Sequence, residues 1–136
     1  MLWNLKGRWP SRSLYQPAAA RRRAVAGWYR ERLGRLPLRF QSTTDGEEHV
    51  YHLFQVRTDR RDQLLDHLRR SGVDAVVRYP TPIHLQPAFA DCGWRRGQFP
   101  VAERLAGELL CLPLRPDMSV REVDYVAGVV TRFFQG

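Results

Sequence analysis

Apolar residues in this 136-residue chain come in two kinds of block, and their order restricts it to helices packed on a small sheet. One kind recurs at three- and four-residue intervals: Val25, Trp28, Tyr29, Leu33 and Leu36 over residues 18–36, Leu64, Leu65 and Leu68 over 59–71, and Val123, Val126, Ala127, Val130 and Phe134 behind Ser119. That spacing gathers each set on one helical face. The other kind is short and apolar-rich: Val50 to Val56, Val73 to Tyr79 and Leu109 to Leu112 have the composition of buried strands.

Punctuation supports the division. Gly34 and Pro37 close the first helix, Thr43-Thr44-Asp45-Gly46 marks a turn, Gly72 stops the second helix and Pro113 closes the last strand. A third helix is expected over 100–107, with Val101 and Leu105 inward, after a long loop of Pro, Gly and aromatic residues at 80–98. Ser119 and Glu122 have capping-box spacing, in which each side chain satisfies a backbone donor of the other's turn. The strand–helix–strand order at 50–79 places a crossover helix on one sheet face and leaves open whether its strands are neighbours or separated by another. Residues 1–17, broken by Pro10, Ser11, Ser13 and Pro17, form an unpatterned tail, and 18–136 a single two-layer α+β domain with about three strands.

At 43% hydrophobic the chain can bury one core, and it has neither the run of about 20 apolar residues that spans a bilayer nor the apolar block of a secretory signal. A cytoplasmic protein with no membrane contact is expected. Cys92 and Cys111 lack ligand or disulfide-framework spacing, so they are read as buried or idle thiols and no metal site is assigned. The net charge of +8 is uneven: residues 1–39 carry ten Lys/Arg against Glu31, while 40–136 carry twelve Arg against thirteen acids. An Arg-rich leader is compatible with a nucleic-acid arm, a transit peptide or an anionic-partner patch. The favoured reading is a solvated helix behind an unpatterned leader, with nucleic acid the lesser alternative.

Among the histidines, His49 and His52 point to opposite faces if the segment is a strand, which separates them as metal ligands, and each is read as structural. His67 reads as a solvated surface residue. His84 lies in Arg78-Tyr79-Pro80-Thr81-Pro82-Ile83-His84-Leu85-Gln86, where two prolines restrict the backbone just after a strand end. Such loops present binding groups on rigid scaffolds, although the prolines also serve simply to turn the chain. No nucleophile motif, carboxylate dyad or phosphate-cradling glycine loop accompanies it, so no catalytic residue is assigned.

Several ordered blocks resemble the C-terminal part of the DegT/StrS-type sugar aminotransferases, pyridoxal-phosphate (PLP) enzymes of fold type I that aminate nucleotide-linked keto sugars. The blocks are His49-Val50-Tyr51-His52-Leu53-Phe54, the Arg78 to Gln86 segment with Pro87-Ala88-Phe89, Phe99-Pro100-Val101-Ala102-Glu103-Arg104-Leu105-Ala106, and Leu112-Pro113-Leu114. Arg21-Arg22-Arg23-Ala24-Val25-Ala26 with Tyr29 and Leu33 is similar to the helix leading into that region, and the resemblance covers about residues 21–134. It implies the small C-terminal domain, which closes one side of a site built mainly by the large domain at a homodimer interface. Tyr79 and His84 would line the nucleotide-sugar pocket, with Arg78 a candidate for an anionic group.

The same resemblance implies chemistry through a lysine, and Lys6, in the unpatterned tail, is the only lysine beside 21 arginines. Asn4-Leu5-Lys6-Gly7 is too short to mark a cofactor anchor, so no cofactor-binding residue is assigned and PLP enters only through the family. The expectation is a truncated, split or frameshifted aminotransferase portion, or a genuinely shortened protein, inactive alone; a variant has a separately encoded large domain complete it, and a homodimer is the other partner considered. The alternative is a non-enzymatic interaction protein that binds a partner aminotransferase or nucleic acid.

Overall fold

The computed structural model describes residues 16–44 and 47–136. The tail that contains Lys6, and Asp45-Gly46 of the expected turn, lie outside the described residues. The chain runs α1 (Gln16–Leu33), β1 (Arg39–Phe40), β2 (Phe54–Arg57), α2 (Arg61–Arg70), two 3-10 turns at Ile83–Leu85 and Pro87–Cys92, α3 (Pro100–Glu108), β3 (Leu109–Leu112) and α4 (Val120–Gln135). The strands form one antiparallel sheet in the order β1-β2-β3.

The helical periods of α1, α2 and α4 translate directly into packing, whereas in α3 Val101, expected inward, is exposed and Leu105 only half-buried. Val25, Ala26, Tyr29 and Leu33 of α1, Leu64, Leu65 and Leu68 of α2, and Val123, Val126, Ala127, Val129 and Val130 of α4 all enter one core with Phe54, Val56, Leu110 and Leu112 of the sheet. α4 packs against both α1 and α2, so the three stripes converge on a single layer over the strands. Phe54 stacks on Tyr29 with ring centroids 5.1 Å apart. Each such large side chain contributes about 1.5–3 kcal/mol when removed from water.

Helix ends follow the expected signals. α1 ends before Gly34, where the backbone passes so close to the Arg30 carbonyl that a Cβ would lie 2.7 Å from its oxygen and only glycine fits. Gly72 takes φ 73° after α2, a left-handed conformation that glycine adopts without steric cost. The capping box of α4 is complete: Ser119 Oγ accepts from the Glu122 N–H, and Glu122 Oε2 accepts from the Ser119 N–H at 2.8 Å.

The strands depart from expectation. The run expected from Val50 becomes a strand only at Phe54, because Tyr51 adopts φ 46° and breaks the extended backbone. His49 and His52 are therefore not on opposite faces of a strand. His49 Nδ1 accepts the Tyr51 N–H at 2.8 Å, and the two rings lie 4.4 Å apart, while His52 is exposed. Val73 to Tyr79 reduces to one bridge, Val76 to Cys111, because the Ala75 N–H turns back to the Val73 carbonyl. The two-residue β1 was too short to give any sequence period.

Two surface readings also change. His67 is half-buried: its Nε2 donates to the Val129 carbonyl at 3.2 Å and its ring lies 5.5 Å from Phe133. The arginines of α1 are partly internal ties. Arg22 donates to the Val50 carbonyl at 2.9 Å, Arg30 to the Gln41 carbonyl, Arg23 pairs with Glu48 and Arg32 with Asp124. Cys92 is exposed and Cys111 buried, both as free thiols. Among the described residues no helix is long and apolar enough to cross a membrane.

Candidate functional site

Antiparallel pairing brings the start of β2, the end of β3 and the bridged segment at 74–79 to one end of the sheet, where they enclose a cavity of about 520 Å³. Its polar lining comes from His52, Asp74, Arg78, Tyr79, Cys111 and Arg115. Leu53, Phe54 and Leu112 to Leu114 supply the apolar part. The size and the mixture of an apolar wall with a few polar groups suit a small organic ligand.

Arg78 is exposed and makes no hydrogen bond or ion pair through its side chain among the described residues. Tyr79 beside it is 68% exposed. Arg115 is held by Glu122 at 2.7 Å and Asp117 at 3.2 Å, both outside the lining, which fix its direction. The Cys111 thiol at the floor is pushed above the ordinary range by burial, partly opposed by the Gln55 side chain and by Arg78. It is therefore a neutral, packed thiol rather than a nucleophile.

Of the three residues singled out in the sequence, the structure brings Arg78 and Tyr79 together in this cavity and sets His84 apart from its lining. His84 is 7% exposed. Its Nε2 lies 3.0 Å from Glu103 Oε1 and its ring 4.6 Å from Phe99. Glu103 also accepts the Gly97 N–H at 2.8 Å and the Phe99 N–H at 3.4 Å. Burial opposes ionisation of this carboxyl, but the Gly97 and Phe99 N–H groups and the His84 ring outweigh it and hold Glu103 below the ordinary glutamate range. One carboxylate thus ties the 3-10 turn carrying His84 to the entry of α3 and shapes the loop that follows Tyr79.

Sequence reasoning missed Arg115, Asp74 and Glu103. A signal existed for Arg115, which follows the strand closed by Pro113, in the same strand-end position that drew attention to Arg78. Glu103 stood in the first turn of an expected helix, where a carboxylate accepts free N–H groups. Among the described residues, no three His, Cys, Asp or Glu side chains come together to hold a metal ion.

Comparison with known proteins places this geometry. Residues 15–131 match the DegT/DnrJ/EryC1/StrS aminotransferase family. The chain is 44% identical over 112 residues to the erythromycin biosynthesis sensory transduction protein EryC1 of Saccharopolyspora erythraea, covering 82% of this chain and 31% of that protein. It is 40% identical over 111 residues to dTDP-3-amino-3,4,6-trideoxy-alpha-D-glucose transaminase of Streptomyces venezuelae, covering 78% of this chain and 29% of the relative. The crystal structure of S. venezuelae DesV with a ketimine intermediate superposes with a TM-score of 0.85 at 35% identity, over 89% of this chain and 33% of that one. The chain spans about a third of the length of the relatives it matches, and its fold matches their C-terminal region.

Proposed function

The chain belongs to the DegT/DnrJ/EryC1/StrS aminotransferase family, and from that premise we propose that it supplies the small-domain side of a nucleotide-sugar aminotransferase site and does not transaminate by itself. The observation that carries this reading is the cavity at the Phe54 end of the sheet, where Arg78 and Tyr79 stand on a fold shared with DesV. Several of the relatives are transaminases named for dTDP- and UDP-linked sugars. Such a substrate carries a diphosphate, which the unpaired Arg78 suits as a forked donor, and a hexose, against whose apolar face Tyr79 packs while its hydroxyl takes a hydrogen bond. Arg115, clamped by two carboxylates, bounds the cavity and limits how deeply the anion enters.

The family depends on PLP, which supplies the electron sink for moving an amino group and is held through a lysine. Residues 16–44 and 47–136 contain no lysine, and Lys6 lies outside the described residues. The described residues therefore do not fit the cofactor. The part assigned to this chain is binding and orientation, with the cofactor carried by a large domain. Its partner in this reading is that large domain, at an interface that includes the exposed side chains of Tyr79, Ile83, Trp94, Phe99 and Val101.

The test is direct. Purified chain is incubated with PLP, an amino-acid donor and a dTDP-linked keto sugar, and the sugar is examined by mass spectrometry. No aminated sugar is expected. Cofactor-dependent amination without a partner protein overturns the assignment.

A further inference from the structure

A second cavity, of about 530 Å³, lies at the Arg57 end of β2, opposite the end that carries the first. Pro37 and Leu38 form its apolar edge, and Arg39, Arg57, Arg104 and Glu108 its charged wall. Strand register places Arg39 directly across from Arg57, on the sheet face away from Phe40 and Val56, which pack into the core. Like charges directly opposite on neighbouring strands repel. Such a pair persists where another group neutralises it.

Glu108 does so for one partner. Its Oε2 accepts from Arg57 Nε at 3.0 Å and Nη2 at 2.5 Å. Its Oε1 lies 4.0 Å from Arg104 Nε, beyond a hydrogen bond. Arg39 forms no ion pair among the described residues. Asp59, the other carboxylate on the lining, stands beside Thr58, whose hydroxyl donates to it at 3.3 Å. Three guanidinium groups thus face two carboxylates around one cavity, and the Arg39 and Arg104 forks have no hydrogen-bond acceptor among the described residues.

We propose that this cavity is an anion site that takes a phosphate-bearing small molecule between Arg39 and Arg104. Arg57, oriented by Glu108, supplies a third guanidinium at the base. Planar forks at separate angles match the tetrahedral oxygens of a phosphoryl group, and the apolar edge at Pro37 and Leu38 accepts the carbon skeleton attached to it. The site is independent of the nucleotide-sugar reading, since the two cavities share no lining residue.

Inorganic pyrophosphate is the probe, titrated calorimetrically into the full chain at low salt. In an R78Q background, which removes the diphosphate donor of the first cavity, saturable binding with one site is expected, weakened about tenfold or more when R39Q/R104Q is added. Both substituted side chains are exposed, and circular dichroism verifies the fold. Arginine Nε–H signals of the unsubstituted protein give a second readout: those of Arg39 and Arg104 are expected to move with pyrophosphate. Absence of binding, binding equal in R39Q/R104Q, or shifts confined to Arg78 and Arg115 overturns the proposal.

Discussion

The Tyr29 hydroxyl donates to the Pro113 carbonyl oxygen at 2.9 Å, tying α1 to the turn after β3 across 84 residues of sequence. The same ring stacks on Phe54 at the start of β2. One side chain therefore holds the helix against both strand ends that border the first cavity, and the cavity's shape depends on a residue, Tyr29, outside its lining.

Replacing Tyr29 with Phe keeps the stack and removes the hydroxyl, leaving the Pro113 carbonyl without this donor. A loss of about 1–2 kcal/mol is expected, read as a fall in Tm of about 3–6 °C for a domain of this size. The pH dependence has a definite sign. Burial first, with Glu122 adding and Arg115 opposing, pushes the Tyr29 hydroxyl well above its ordinary 10.0. Stability from the neutral hydroxyl is present below pH 10 and is lost as pH rises beyond it, so Y29F should unfold with a shallower alkaline limb. Identical alkaline limbs would remove Tyr29 as the cause.

The start of α4 offers an acid-side counterpart. The Ser119 N–H, the Arg115 guanidinium and the Ser119 hydroxyl together bring the Glu122 carboxyl down to about 2. A carboxyl lowered on folding stabilises above its unfolded value, near 4.5, and loses that contribution as pH falls toward about 2. Ser119→Ala removes the cap and should cost about 1 kcal/mol at neutral pH. Denaturant midpoints between those two pH values should converge for wild type and S119A, because protonating Glu122 dismantles the other half of the same box.

What the sequence made legible was whatever depends on neighbours along the chain. Periodicity marked the helical stripes that carry Tyr29, Leu64 and Val123, and local chemistry marked Gly72 and Ser119. β3 was readable because its apolar run is bounded on both sides, by Glu108 and Pro113. β1 and the Val76 bridge were not, since two residues and one pairing have no period and exist only because β2 and β3 present free edges. At the candidate site Arg78 and Tyr79 were visible through the proline-rich strand end. That His84 turns inward to Glu103 is a contact across 19 residues, set by tertiary packing and by no local pattern.

Arg78 and Tyr79 carry the binding side of the proposed function. Titration with a dTDP-linked hexose should shift the backbone signals of Arg78, Tyr79 and Leu114 at that end of the sheet. Arg78→Gln should weaken binding by roughly tenfold, the scale of one charge-assisted bond to phosphate. Tyr79→Ala should also weaken it, with thermal stability unchanged, because the ring is exposed. Shifts confined to the Arg57 end would locate the ligand at the other cavity instead.

The apolar side chains Tyr79, Ile83, Trp94, Phe99 and Val101 stand exposed along one stretch of chain. In water they favour self-association or the binding of an apolar dye. Light scattering should report a concentration-dependent mass, and the double variant I83S/V101S should reduce it. A protein that stays monomeric and dye-silent at high concentration would contradict the assignment of this stretch to an interface.

Glu103 makes the most specific case, because one carboxylate meets His84, Gly97 and Phe99 together. Glu103→Gln keeps the size and weakens every one of these bonds. Amide hydrogen exchange at Gly97 and Phe99 should accelerate, while the core amides of β2 and β3 keep their protection, since the loop opens locally and leaves the sheet intact. Acid should reproduce the effect in the unsubstituted protein. The Glu103 carboxyl lies below its ordinary 4.5, so its hold on the loop is complete above that pH and is released as pH falls through the lower folded value. Tyr79 sits five residues before His84 on the same proline-restricted segment, so loosening at Glu103 should also weaken nucleotide-sugar binding without any change in the cavity's own side chains. Faster exchange at Gly97 with binding unaltered would separate the loop's order from the cavity and assign Glu103 a purely structural role.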